Sequence, residues 1–147
     1  MREHARGKAR SVHRRGGWTL GVDTTVHLDG LVHGKAADAA EAAVMLRRLS
    51  GRSHTVLSGV CLLGRASEHV ADAATIVTFR PLAAQDIEQY VASGEWEGRA
   101  GAYAIQGLGG RLVASIAGDY LNVVGLPGAL LIDMLEAHAP GLLEIPR

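Results

Sequence analysis

Residues 18–33 read WTLGVDTTVHLDGLVH. The first eleven are rich in Thr and Val, and Leu20, Val22, Val26 and Leu28 mark them as a strand. Asp29-Gly30 is a turn dipeptide, and Leu31 to His33 is extended again, so the stretch predicts a hairpin. Asp23 is the odd member. A carboxylate inside an otherwise apolar strand is costly to bury unless it is paired, protonated or bound to metal. On the residues alone two readings stay open. Asp23 is an edge-strand carboxylate facing water, or it is a general base or metal ligand with Thr24 and Thr25 as donors beside it.

Upstream, residues 2–15 predict a short helix, with Ala5, Ala9 and Val12 as a thin apolar stripe and Gly16-Gly17 as its stop. Residues 1–17 hold six basic groups against one acid, Glu3, in a chain whose net charge is zero. This segment is a solvated basic helix, a phosphate-binding edge or a nucleic-acid arm. Downstream, Gly34-Lys35 lies in a loop near a helix N-terminus, where phosphate is favoured. It lacks the spacing of a Walker loop.

Asp38 and Glu41 have capping-box spacing ahead of a helix whose apolar face is Ala42, Met45, Leu46 and Leu49. Gly51 ends it. Strands are predicted over His54–Leu63 and Val70–Phe79, and a helix around Ile87, Tyr90 and Val91 closes at Gly94. Two further strands are expected near Ala102–Ile105 and Leu112–Ile116. A last helix begins at Pro127 and buries Leu130, Leu131, Met134 and Leu135. The pattern is mixed α and β around one sheet, a single domain over residues 1–147.

Composition narrows the function classes. Aromatics are 4% of the 147 residues, against a single-strand nucleic-acid platform. A lone cysteine, Cys61, excludes an internal disulfide and a Cys-based zinc site. No apolar run reaches the ~20 residues of a membrane span, so a cytoplasmic protein is expected. His27 and His33 flank the hairpin and are able to approach each other, but no i, i+4 His pair supports a zinc centre. No Gly-x-Ser-x-Gly elbow supports a serine hydrolase. Residues 105–110, IQGLGG, lead into a strand and make a poor dinucleotide fingerprint. The amide of Gln106 both donates and accepts, which suits reading a base edge.

Several runs stand in one order along nearly the whole chain: Gly21-Val22-Asp23-Thr24-Thr25-Val26, Gly34-Lys35, Leu49-Ser50-Gly51, His54-Thr55-Val56 and Thr78-Phe79-Arg80. They continue with Ile87, Tyr90, Gly94-Glu95, the run AGAYAIQG over residues 100–107 and the run NVVGLP over residues 122–127. Together they resemble the Maf family of nucleoside triphosphate pyrophosphatases, also described as septum-formation inhibitor proteins. The last two runs are specific to it.

The resemblance implies an α/β fold, a single mixed sheet with flanking helices, similar to Maf and inosine-triphosphatase proteins. Asp23 falls where the family has its catalytic proton acceptor, near a divalent metal (Mg or Mn). Thr24 and Gln106 fall where members acting on dTTP and UTP carry Thr and Gln. Lys35 matches the lysine of a Gly-Lys-Pro loop. Lys8, in Gly7-Lys8-Ala9, matches a Lys-Ala lysine on the helix before the Asp strand. Both lysines would face the triphosphate.

The implied partner is a nucleoside triphosphate. A homodimer stays open, a membrane is not expected, and nucleic acid is disfavoured. Family members also carry an opening strand, a Ser-x-Ser-Pro-Arg-Arg phosphate loop and an Asp-Glu pair that do not precede the Lys-Ala helix here. The expectation is an N-terminally truncated domain, lacking a phosphate-binding arginine and a metal-binding glutamate. Ala36 and Trp96 stand where Pro is usual, Gly98 where Asp is, and Arg99 where Lys is.

The expected activity is hydrolysis of dTTP and UTP to a nucleoside monophosphate and pyrophosphate. The rival reading is a nucleotide-binding fragment with little or no turnover, either a division-linked regulator or a gene remnant. A third is a basic-arm nucleic-acid binder.

Overall fold

The structure, a computed structural model, describes residues 1–146. In chain order the elements are α1 (Arg2–Val12), β1 (Thr19–Leu28), β2 (Leu31–His33), α2 (Ala39–Leu49), β3 (Ser53–Leu63), β4 (Glu68–Phe79), α3 (Ala84–Ala92), β5 (Val113–Ala117), α4 (Tyr120–Val124) and α5 (Gly128–His138). No helix among the described residues is long and apolar enough to cross a membrane.

The five strands form one sheet in the order β2-β1-β3-β4-β5. The single sheet with flanking helices is as expected. Every ladder is antiparallel, so among the described residues the sheet is antiparallel throughout rather than mixed. The β1–β2 hairpin turns on Asp29 (φ 52°) and Gly30 (φ 75°), the two positive φ angles that a type I′ turn requires.

Strand periodicity assigns the two faces. Val26, Val56, Val77 and Phe79 point to one side, where Leu46 and Leu49 of α2 and Ile87 and Tyr90 of α3 complete the main core. Further along that face, Val60 and Leu62 meet Met134 of α5. Gly21, Gly59 and Cys61 point to the other side, where α1 lies with Ala5 and Ala9 fully buried. The approach is so close that a Cβ at Gly21 would sit 2.1 Å from the Ala5 carbonyl oxygen, and one at Gly59 would sit 2.9 Å from the Arg2 nitrogen. Glycine is the residue that permits such backbone contact.

The basic residues of α1 help to dock it. Arg2 pairs with Asp72 at 2.6 Å, Arg10 with Glu68 at 2.9 Å, and Arg6 with both Glu3 and Glu68. Much of the N-terminal charge is thereby matched by acids of β4.

Four local expectations are corrected. The first helix stops at Val12, because His13 is extended (ψ 130°) and its Nδ1 lies 2.8 Å from the Thr19 hydroxyl. At α2, Asp38 accepts from the Glu41 amide at 2.8 Å as expected. The Glu41 carboxylate, however, takes the Ala37 amide at 2.7 Å instead of that of Asp38. Residues 102–105 are turn and irregular loop rather than a strand. Ala102 sits at φ 62°, and Gly107 N–H donates to the Ala104 carbonyl at 3.1 Å. Their apolar character reflects burial of a loop. Finally, His33 stands opposite Val26 and His27 opposite Val32, so the two imidazoles point to opposite faces and do not meet.

Candidate active site

Asp23 and Thr24 are consecutive in β1 and face opposite sides of the sheet, yet both line one cleft of about 270 Å³. This is possible because β2 pairs only with Val26–Leu28. Beyond it, the edge of β1 is open among the described residues, and the cleft wraps around that edge. Lys8, Asp23, Thr24, Lys35 and Gln106, the five residues singled out from the sequence, all line it. They arrive from α1, β1, the loop after β2 and the loop after Tyr103.

On the α1 side, Lys8 Nζ donates to Asp23 Oδ1 at 2.8 Å and to the Val22 carbonyl at 2.9 Å. His4 Nδ1 lies 3.3 Å from Asp23 Oδ2. Partial burial pushes the Asp23 pKa up, but the Lys8 ammonium and the His4 contact outweigh it and hold the carboxyl below its usual value. Asp23 is therefore ionised at neutral pH. The close seating of α1 on Gly21 sets this geometry, since Lys8 lies on the same helix as Ala5 and Ala9.

On the opposite side, the Thr24 hydroxyl is 2.7 Å from the Ser58 hydroxyl and donates to the Gly125 carbonyl at 3.5 Å. Val123, Val124 and Gly125 form this wall. Sequence patterning did not find α4, whose five residues are too few to show a helical period. Asp119 caps it by accepting from the Leu121 amide at 2.8 Å. Asn122 anchors it: fully buried, its amide donates to the Thr75 hydroxyl at 3.0 Å and to the Val56 carbonyl at 3.2 Å.

The floor includes Val26, Val56 and Tyr103. The Tyr103 hydroxyl is 2.8 Å from His54 Nε2, and both rings pack edge-on against Phe79. Burial, with His33 nearby, lowers the His54 pKa to about 4, so this imidazole is neutral at physiological pH.

Arg99 adds a third cation to the cleft. The sequence flagged it only as an Arg where the family's Lys is usual. A bridge between Lys35 and Ala100, and Gly101 N–H bonds to the carbonyls of His33 at 3.1 Å and Gly34 at 3.0 Å, hold the two cationic loops together. Among the described residues neither the Lys35 nor the Arg99 side chain makes an ion pair or a hydrogen bond. Three cations thus face one carboxylate, a field that favours a polyanion. No group of three metal-ligating side chains occurs among the described residues.

The family model for Maf-like proteins matches residues 1–138. A protein of Symbiobacterium thermophilum named dTTP/UTP pyrophosphatase is 52% identical over 130 residues, covering 88% of this chain and 67% of its own length. One of the same name from Myxococcus xanthus is 50% identical over 134 residues, covering 90% and 68%. A third so named, from Syntrophotalea carbinolica, is 49% identical over 135 residues, covering 88% and 61%. The chain spans about three fifths to two thirds of the length of these curated relatives. With the match running through every element that builds the cleft, the chain belongs to the Maf-like protein family.

Proposed function

We propose that this cleft hydrolyses dTTP and UTP at the bond between the α and β phosphates, releasing a nucleoside monophosphate and pyrophosphate. One observation carries the reading: two cations that make no ion pair among the described residues, an ionised carboxylate held by a third, and two uncharged hydrogen-bonding side chains converge on a single cleft. Relatives about 50% identical carry the name dTTP/UTP pyrophosphatase.

Lys35 and Arg99 hold the phosphates. A phosphate oxygen also competes for the Lys8 ammonium, and as Lys8 turns to it, Asp23 Oδ1 is released. The proton affinity of Asp23 then rises as the attacking water needs a base. The water oxygen bonds to the α-phosphorus, its proton passes to Asp23, and the bond from the α-phosphorus to the bridging oxygen breaks. Pyrophosphate leaves with that oxygen, and its growing charge is met by the cleft lysines and Arg99. Thr24 and Gln106 contact the pyrimidine.

Among the described residues, Asp23 is the only carboxylate lining the cleft. Mg²⁺ is usually held by one or two carboxylates together with substrate phosphates, so Asp23 is the residue that would help to hold a Mg or Mn ion here. Such an ion, when bound, neutralises phosphate charge and acidifies water. The buried, unpaired Cys61 suits a reducing cytoplasm.

The test is hydrolysis of dTTP with Mg in ¹⁸O-labelled water. Label in dTMP, with unlabelled pyrophosphate, is expected. Label in phosphate, with dTDP as the other product, would contradict attack at the α-phosphorus.

A further inference from the structure

Gln106 alone is a poor judge of a base. Its carboxamide pairs with a 4-oxo pyrimidine in one orientation and with a 4-amino pyrimidine when turned over. Discrimination therefore needs the loop that carries it to be held still, and this loop is held in an unusual way. Glu95 is half-buried and spends both carboxylate oxygens on the loop and its anchor. Oε1 accepts from the Gly109 amide at 2.9 Å and from the Tyr90 hydroxyl at 3.0 Å. Oε2 accepts from the Leu108 amide at 3.0 Å.

The Tyr90 hydroxyl in turn accepts from the Ala104 amide at 3.0 Å, from within the main core. Residues 104–109 are thus tied down on both sides of Gln106. A Cβ at position 107 would lie 2.2 Å from Glu95 Oε2, so a side chain there would push the carboxylate off its loop amides. Leu108 and Gly109 open a short 3₁₀ turn whose N-cap, Gly107, has no side chain to offer, and the Glu95 carboxylate takes that place.

We propose that Glu95, acting with Tyr90, is a positioning residue for base recognition. It fixes the Gln106 loop without touching the nucleotide, so it governs which pyrimidine is accepted and leaves phosphate binding alone. The proposal rests on the nucleotide-hydrolysing reading above. Glu95 itself is absent from the cleft lining, whereas Gln106 is part of it.

The experiment measures kcat/KM for dTTP and dCTP, and competitive inhibition by inorganic triphosphate, in the wild type, Glu95→Gln and Tyr90→Phe. Far-UV circular dichroism checks the fold. A carboxamide at position 95 turns an N–H toward at least one loop amide, and Tyr90→Phe orphans the Ala104 amide. Each should lower the dTTP-over-dCTP ratio about tenfold, with inhibition by triphosphate unchanged.

An unchanged ratio, or an equal fall for both nucleotides with weaker triphosphate inhibition, overturns the proposal. So does loss of fold in both variants, which would assign the pair to stability alone. A wild type that hydrolyses no triphosphate, or treats dTTP and dCTP alike, overturns the underlying function instead, and the role of Glu95 falls with it.

Discussion

Gly21→Ala tests the idea that backbone proximity between α1 and β1 builds the site. The added Cβ would stand 2.1 Å from the Ala5 carbonyl oxygen, 2.7 Å from the Ala9 nitrogen and 2.9 Å from the Ala9 Cβ. Two of these atoms are backbone and cannot rotate aside. Relief to 3.0 Å, below which real Cβ contacts are essentially never seen, needs α1 to lift by about 1 Å. Overpacking of this kind costs ~1–3 kcal/mol, of which Ala recovers ~0.5–1 through reduced backbone entropy. The expected net loss is about 1–2 kcal/mol in urea denaturation. A shift of ~1 Å at Lys8, now 2.8 Å from Asp23, should cost about a hundredfold in turnover.

Gly59→Ala meets the first residues of α1 at 2.9 Å, where the helix end is able to give, and should cost less. Gly17→Ala meets nothing within 4 Å and should stay within about 0.5 kcal/mol of the wild type. A Gly21→Ala variant as stable and active as Gly17→Ala would refute the reasoning.

Stability should also depend on pH through His54. Its folded pKa of about 4 lies below the ordinary 6.5, so the unfolded chain binds more protons between those values and stability falls as pH falls. Burial of His33 acts in the same direction. Between pH 6.5 and 5 the loss from His54 should be about 1.5 kcal/mol, at ~1.4 kcal/mol per pH unit, and most of it should vanish in His54→Phe when both are unfolded in urea. In base recognition, Gln106→Glu should lower kcat/KM for dTTP and UTP by ~1–3 kcal/mol more than for purine triphosphates, because an acceptor replaces a donor. An equal fall for all nucleotides in steady-state assays would mean that Gln106 only shapes its loop.

Much of the fold is legible because its signals are local. The Asp29-Gly30 turn, the Asp38 cap and the Ala42, Met45, Leu46 and Leu49 stripe each lie within a few residues and behave as their chemistry predicts. Strand pairing is not local, and the sequence of elements does not say which edges meet. The antiparallel order, and with it the open edge beside Asp23, therefore had to come from the structure. Ala102–Ile105 misleads for a related reason: a loop packed on Val26 is as apolar as a strand.

At the cleft, Asp23 announces itself as a charge in an apolar strand. The gathering of Lys8, Lys35 and Gln106 around it was legible only through the family resemblance. Glu95 reads as an ordinary loop acid, since its partners are backbone amides thirteen and fourteen residues away.

The most direct test of the account is pyrophosphate release from dTTP with Mg in the wild type and in Asp23→Asn, with thermal melting of each. Asparagine keeps the size of the side chain and loses the base. The account predicts a folded variant whose kcat falls by ~10²–10⁴. A folded Asp23→Asn protein with wild-type kcat would contradict it.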